Sequence, residues 1–307
     1  MDIFLPIAHM DVNLLLILSF GFIVGLLSGL VGVGGGFLIT PLLIFTGVPP
    51  LVAVATGSAQ IVGTSAAGSY AHWRLGNVDF KMAILLLLGS WTGGGLGVFL
   101  ARALQQSGQF GNIVTFLYVV LLGFIGVSML IESINAVRRG TSSSGAAPNK
   151  KKTGNNWLEK LPMQINFPVS GLQLPVAVPL VLGVGVGVLT SLMGVGGGFI
   201  MVPIMLYMLK MPTKVVVGTS LFQLLFTTAV VATMQAGINM SVDPFLALTL
   251  ILGSILGTHW GTLLSVRLPA EQLRLVLALV VVGVAVKMLW SLLATPDQLY
   301  SLSVLLQ

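Results

Sequence analysis

Long apolar stretches recur along the chain at residues 12–31, 82–104, 113–131, 176–193, 244–264 and 273–293. Each is close to or above the ~20 residues that a helix needs to cross a bilayer. Shorter polar turns divide the two halves into five hydrophobic elements apiece, lettered a to e. In the first half they cover 12–33, 36–47, 51–73, 80–104 and 112–137; in the second, 176–195, 198–209, 213–236, 244–268 and 272–295. Element b has twelve residues, about 18 Å of helix, against ~30 Å of hydrocarbon, which predicts a short or half helix. The pattern predicts an all-α polytopic membrane protein. Its parts are a first transmembrane repeat (1–137), a basic cytoplasmic linker (138–175), a second repeat (176–295) and a tail (296–307).

The halves are copies of one another. Residues 25–41, GLLSGLVGVGGGFLITP, align with 187–203, GVLTSLMGVGGGFIMVP, at an offset of 162, with ten of 17 positions identical. The match continues with Gly57-Ser58 against Thr219-Ser220, Gly89-Ser90 against Gly253-Ser254 and Gly97 against Gly261. An internal repeat of this kind is the signature of a duplicated architecture.

Composition agrees: 56% of the residues are hydrophobic and 7% charged, against roughly 25% charged in soluble domains. The formal net charge of +6 does not point to nucleic acid, because Arg138, Arg139, Lys150, Lys151, Lys152 and Lys160 fall in the linker. Basic loops of this kind lie in the cytoplasm. The small polar residues 141–156 of the linker predict a flexible segment outside the membrane, after which 157–167 has the pattern of a surface-lying amphipathic stretch. If b crosses, Arg74, Lys81, Lys210, Lys214, Arg267 and Arg274 fall inside and Asp2, Asp11, Asp243 and Asp297 outside; Arg102 and Lys287 alone disagree. This favours five-plus-five inverted repeats with both termini outside, and leaves eight spans with two re-entrant pieces as the alternative.

The sharpest motif is the run Gly34, Gly35, Gly36, Phe37 and its twin Gly196, Gly197, Gly198, Phe199. Consecutive glycines break a helix, and such breaks persist at membrane depth only where protein or a watery cavity surrounds them. Element b then starts with unpaired N–H groups at a positive dipole end, an arrangement that suits an anion. The same glycines would also serve close helix packing. No βαβ unit accompanies them, which excludes a dinucleotide loop.

Element c carries Thr56, Ser58, Gln60, Thr64 and Ser65 in one half and Thr219, Ser220, Gln223, Thr227 and Thr228 in the other. Hydroxyls return hydrogen bonds to their own helix, but a glutamine amide in oil is costly, so Gln60 and Gln223 are expected to face the interior. They serve either interhelical bonding or solute coordination. His259 sits inside element d, where the first half has Gly95. An intramembrane ionisable residue is a functional candidate, and a neutral imidazole bonded to a hydroxyl such as that of Thr258 is the structural alternative. His72, at the end of c, reads as interfacial. Aspartate and glutamate are missing from the middle of every span, the nearest being Glu132. Cysteine is absent, and no P-loop or metal-ligand spacing occurs, so the sequence offers no catalytic residue, metal site or cofactor.

The duplicated GxGGGFxxxP opening, the Gly-Thr-Ser-type start of c, the glycine-rich d and Leu273-Arg274 resemble the sulfite exporter TauE/SafE family over about 12–137 and 176–293. The first half departs from the pattern, with Thr56-Gly57-Ser58 where the second has Gly218-Thr219-Ser220, and it lacks a counterpart of His259. The resemblance implies a multi-pass transporter of the bacterial inner membrane for a small anionic solute such as sulfite, sulfoacetate or a related oxyanion. Its expected partners are that solute and the lipid bilayer, with a homodimer left open. The expected mechanism is alternating access at the repeat interface. The rival readings are a membrane enzyme or assembly factor for lipid-linked substrates, and a passive channel.

Overall fold

A computed structural model describes residues 2–31, 34–139, 164–209, 211–265 and 270–293. Gly32 and Val33, the linker lysines, residues 157–163 of the expected amphipathic stretch, Lys210, Arg267 and the 296–307 tail lie outside the described residues. A hairpin, β1 (Asp2–Leu5) and β2 (Met10–Asn13), leads into α1 (Leu14–Val31), α2 (Gly36–Phe45), α3 (Pro50–Arg74), α4 (Phe80–Gln106) and α5 (Phe110–Arg139). A second hairpin, β3 (Gln164–Phe167) and β4 (Leu172–Pro175), leads into α6 (Ala177–Met193), α7 (Gly198–Pro203), a π-helical turn at Ile204–Met208, α8 (Thr213–Ile238), α9 (Pro244–Ser265) and α10 (Ala270–Leu293). The protein is an all-α polytopic membrane protein; α3, α4, α8 and long parts of α5 and α9 meet the length and hydropathy of bilayer spans.

Elements a to e appear as helices within a few residues of their expected ends. Element b is short in both halves. Ten residues of α2 give about 15 Å, and after α7 the chain widens into the π turn, where Leu209 N–H bonds Ile204 O at 3.1 Å. Pro203 precedes that turn. A proline inside a helix lacks its own N–H and crowds the preceding turn, and a local change of winding relieves the crowding.

Two helices form the centre. In α3, 67% of the most apolar window is buried, against 28% in α5, whose outer face carries Phe124 at 77% exposure. Lipid-facing residues concentrate on α4, α5, α9 and α10. The central pair runs antiparallel. Gly218, near the start of α8, lies against His72 at the end of α3 and Asn77 just beyond it, and Gly68 lies against Leu221.

Around them, α1 pairs with α9 and α4 with α6 through glycines that let backbones touch. A methyl placed on Gly257 would stand 2.0 Å from Phe22 O, and on Gly261 2.2 Å from Leu26 O, so α1 and α9 advance in the same direction. On the other side, a methyl on Gly93 would stand 2.1 Å from Val184 O, and Gly97 faces Val188 O. Each contact of α9 on α1 thus has a counterpart between α4 and α6. Small residues permit this approach in lipid, where dispersion contacts rather than the hydrophobic effect hold helices together.

The hairpins are the part that the hydrophobic pattern concealed. Residues 164–175, assigned to the linker with 164–167 expected to lie along the bilayer surface, form a strand pair, with Phe167 buried. Ser170, in the turn, donates from Oγ at 2.6 Å and from N at 3.1 Å to Asp79 Oδ2. Asp79 also caps α4 by accepting from Met82 N. In the same way Asp243 accepts from Ile7 N in the first hairpin and from Phe245 and Leu246 N at the start of α9. A carboxylate at a helix start satisfies unpaired amides and complements the dipole. Four-residue strands beside long apolar runs give too weak a pattern to be seen without these partners.

Candidate functional site

The glycine runs interrupt the chain as expected, in a conformation open to glycine. Gly34 and Gly35 have φ of +85° and +71°; Gly196 and Gly197 have +74° and +71°. Residues with a Cβ enter this left-handed region at a cost of about 1–2 kcal/mol. Gly35 and Gly197 are the N-caps of α2 and α7, and neither helix start receives a side-chain cap.

The two breaks meet. Phe37 and Phe199 stack with ring centroids 4.2 Å apart. A methyl on Gly36 would lie 3.1 Å from Gly194 O and 2.1 Å from Ile61 Cδ1, while Gly34 and Gly196 both face Leu224. Tyr118, fully buried on α5, donates its hydroxyl to Met193 O at the end of α6. Gly34, Gly35, Gly36 and Phe37 are buried, as are Gly196, Gly197, Gly198 and Phe199. Ile61 and Leu224 close the space between them. The glycines therefore do two things here: they turn the chain, and they let the halves approach to backbone contact.

The polar residues of α3 and α8 are also interior, and they divide by partner. Thr56 Oγ1 accepts from Asp243 N at 3.2 Å, and Thr219 Oγ1 accepts from Asp79 N at 3.0 Å. These reciprocal bonds make Thr56 the counterpart of Thr219, a register one residue different from the Gly57-Ser58 to Thr219-Ser220 match read from sequence. The inserted residue lies in the second half, between its glycine run and α8, and identity in a pair of small residues does not fix a register. Ser58 Oγ and Ser220 Oγ return to carbonyls of their own helices, Val54 O and Val217 O.

The glutamines behave differently from each other. Gln223 Nε2 donates to Ser90 Oγ at 2.7 Å, with Oε1 unpaired. Gln60, also fully buried, has neither amide atom paired. The position on α9 that matches Ser90 is Ser254, and its hydroxyl turns to Ile251 O. Ser65 Oγ is a further buried group without a partner, facing the same break as Gly34. An amide taken from water without compensation costs roughly 1–3 kcal/mol in proteins, so this cluster is unusually polar for its surroundings.

His259 stands apart from the cluster, exposed on α9 beside Trp260, which is 63% exposed. Sequence reasoning passed over Asp79, which reads as a loop residue until the hairpin is seen, and Ser90, whose role depends on the neighbouring α8. Gln235 was also missed: it is fully buried and donates to Ser191 O at 3.1 Å. Its position, sixteen residues after Thr219 on a four-residue step, was a signal available in the sequence.

Comparison with known proteins places this geometry. A family model described as Sulfite exporter TauE/SafE matches residues 17–288. A probable membrane transporter protein, YjnA of Bacillus subtilis (strain 168), is 27% identical over 89% of this chain and 98% of its own length. A probable membrane transporter protein of Xylella fastidiosa (strain 9a5c) is 29% identical over 91% of this chain and 95% of its own. Sulfite exporter TauE/SafE family protein 3 of Arabidopsis thaliana is 28% identical over 40% of this chain and 27% of its own. No solved structure matches. The chain belongs to the sulfite exporter TauE/SafE family and is a multi-pass membrane protein of a transporter family.

Proposed function

We propose that the protein is a secondary transporter that exports a small anion of the sulfite or organosulfonate kind, by alternating access to a site where two inverted repeats meet. The observation that carries this reading is Gln60: a fully buried amide with no partner, next in the chain to Ile61, which packs against the glycine breaks of both halves. A solute bearing acceptor and donor oxygens would complete its hydrogen bonds. The starts of α2 and α7, which receive no side-chain cap, with Ser65 and Gln223, would complete the shell for the anion, in which neutral donors stand in for fixed cations.

Inversion is supported by helix direction. Two copies inserted the same way would carry α3 and α8 in parallel, and here they run antiparallel. The unequal glutamines support alternation. One half has its glutamine bonded to a serine of helix d, the other has the equivalent pair apart, and exchange of these roles would reopen the buried centre toward the other side.

The test is binding and proteoliposome flux of purified protein with sulfite, sulfoacetate, thiosulfate and organic carboxylates. Saturable binding and counterflow of one class are expected. Gly35→Leu and Gly197→Leu are expected to insert normally and lose transport. Normal flux in both variants would remove the glycine site, and conductance that does not saturate would favour a passive channel instead.

A further inference from the structure

Unpaired buried polar atoms are rare in folded proteins, and each calls for an explanation. Here, apart from Thr40 Oγ1 on α2, those of the described residues are concentrated on the two central helices. On α3 they are both amide atoms of Gln60, Ser65 Oγ and His72 Nδ1; on α8 and its C-cap they are Gln223 Oε1 and Asn239 Oδ1. The packing of outer helices explains none of them, because α3 and α8 are the pair with the most buried apolar windows.

Their depths are ordered. His72 lies level with Gly218, whose added methyl would come 3.1 Å from His72 Cβ. From Gly218 to Asn239 is twenty-one residues of α8, about 31 Å at 1.5 Å per residue, which equals the ~30 Å hydrocarbon core. His72 and Asn239, at the two ends, are part-exposed, while Gln60, Ser65 and Gln223, between them, are fully buried. Thus a series of unsatisfied hydrogen-bonding groups runs from one membrane face to the other, open at its ends and closed in the middle by Ile61 and Leu224, which are 0% and 1% exposed.

We propose that the solute's route follows α3 and α8 from His72 at one face to Asn239 at the other, with these two residues as its mouths. The route rests on the transporter reading and extends it. It assigns the mouths, and it requires the solute to be small and polar, exchanging one hydrogen-bond partner for the next along the way.

The chain has no cysteine, so single cysteines report directly. His72→Cys, Ser65→Cys and Asn239→Cys in right-side-out and inverted vesicles are to be treated with the water-soluble anionic reagent 2-sulfonatoethyl methanethiosulfonate. Ser65→Cys changes one atom in the side chain and keeps the fold. Ala101→Cys and Ala278→Cys are controls, both fully buried on α4 and α10 away from the route. A thiol held in apolar surroundings stays protonated and inert, so route positions should react at least about tenfold faster than the controls. His72→Cys should react from one side of the membrane and Asn239→Cys from the other. Reaction of Ser65→Cys no faster than the controls, or of both mouths from one side, overturns the route even if transport is intact. Labelling as expected, with no flux of any anion tested, leaves the route standing and removes the anion-transport reading.

Discussion

The two equivalent glutamines should respond differently to the same substitution, one gaining stability and the other not. Methionine matches glutamine in length and lack of branching and is tolerant of irregular packing, so Gln→Met removes the amide with little change in volume. At position 60 both amide atoms are buried without partners. Their removal relieves a desolvation penalty of about 1–3 kcal/mol and breaks no bond, so Gln60→Met should be more stable than the parent. At position 223 the same change deletes the 2.7 Å bond to Ser90, whose own hydroxyl proton is already given to Leu86 O. A lost neutral bond is worth about 0.5–1.5 kcal/mol. Part of that is offset by removing the unpaired Oε1, so Gln223→Met should be neutral to slightly destabilising. The assay is thermal unfolding of purified protein in detergent, paired with flux in liposomes. Gln60→Met is expected to raise the midpoint while abolishing transport, a combination that a purely structural glutamine would not give. If Gln60→Met lowers stability as much as Gln223→Met does, its amide has partners such as bound water, and the reasoning fails.

The hairpin contact can be measured with a double-mutant cycle of Ser170→Ala and Asp79→Ala; a bond to a charged acceptor predicts a coupling of about 1.5–3 kcal/mol in thermal stability, and strict additivity would show that the turn does not dock. Gly197→Ala combines a left-handed φ with a methyl placed 2.1 Å from Val186 Cγ1, which should cost about 2–5 kcal/mol. Gly185→Ala, in the same region but with open space around it, should gain up to about 1 kcal/mol from helix propensity; equal effects of the two on the unfolding midpoint would contradict the packing described.

Helix content was legible because a bilayer imposes a long apolar period that nothing else in the chain imitates. The break at the glycines was legible because three in a row interrupt a helix, although their second use, the close approach of the two halves, could not be told apart from it. What could not be read was anything that depends on cross-chain partners. The hairpin around Ser170 exists because Asp79 lies beneath it, and Asp79 is ninety-one positions away. The register of α3 against α8 shows only through the crossed bonds of Thr56 and Thr219. The exposure of His259 was hidden for a related reason: a helix that is apolar all round gives no sign of which face meets lipid.

The charge of the interior decides what drives transport. Both oxygens of Asp79 and of Asp243 are already engaged, by Met82 and Ser170 in one case and by Phe245, Leu246 and Ile7 in the other. They hold helix ends and hairpins together, and are thereby committed to structure rather than to carrying an ion. Between them, the unpaired groups of Gln60, Ser65 and Gln223 are neutral. A monovalent anion moving along such a route carries its whole charge through the membrane field. An inside-negative potential of 100 mV then contributes ~2.3 kcal/mol to export, about a fiftyfold ratio of concentrations at equilibrium. In liposomes clamped with potassium and valinomycin, anion flux should therefore reverse direction with the sign of the potential at equal concentrations. Flux that ignores the potential and follows an imposed proton or sodium gradient would show that a coupling ion neutralises the solute on its way, and would require a titratable or cation-binding group beyond the neutral Gln60, Ser65 and Gln223, for which His72 at one mouth is the candidate among the described residues.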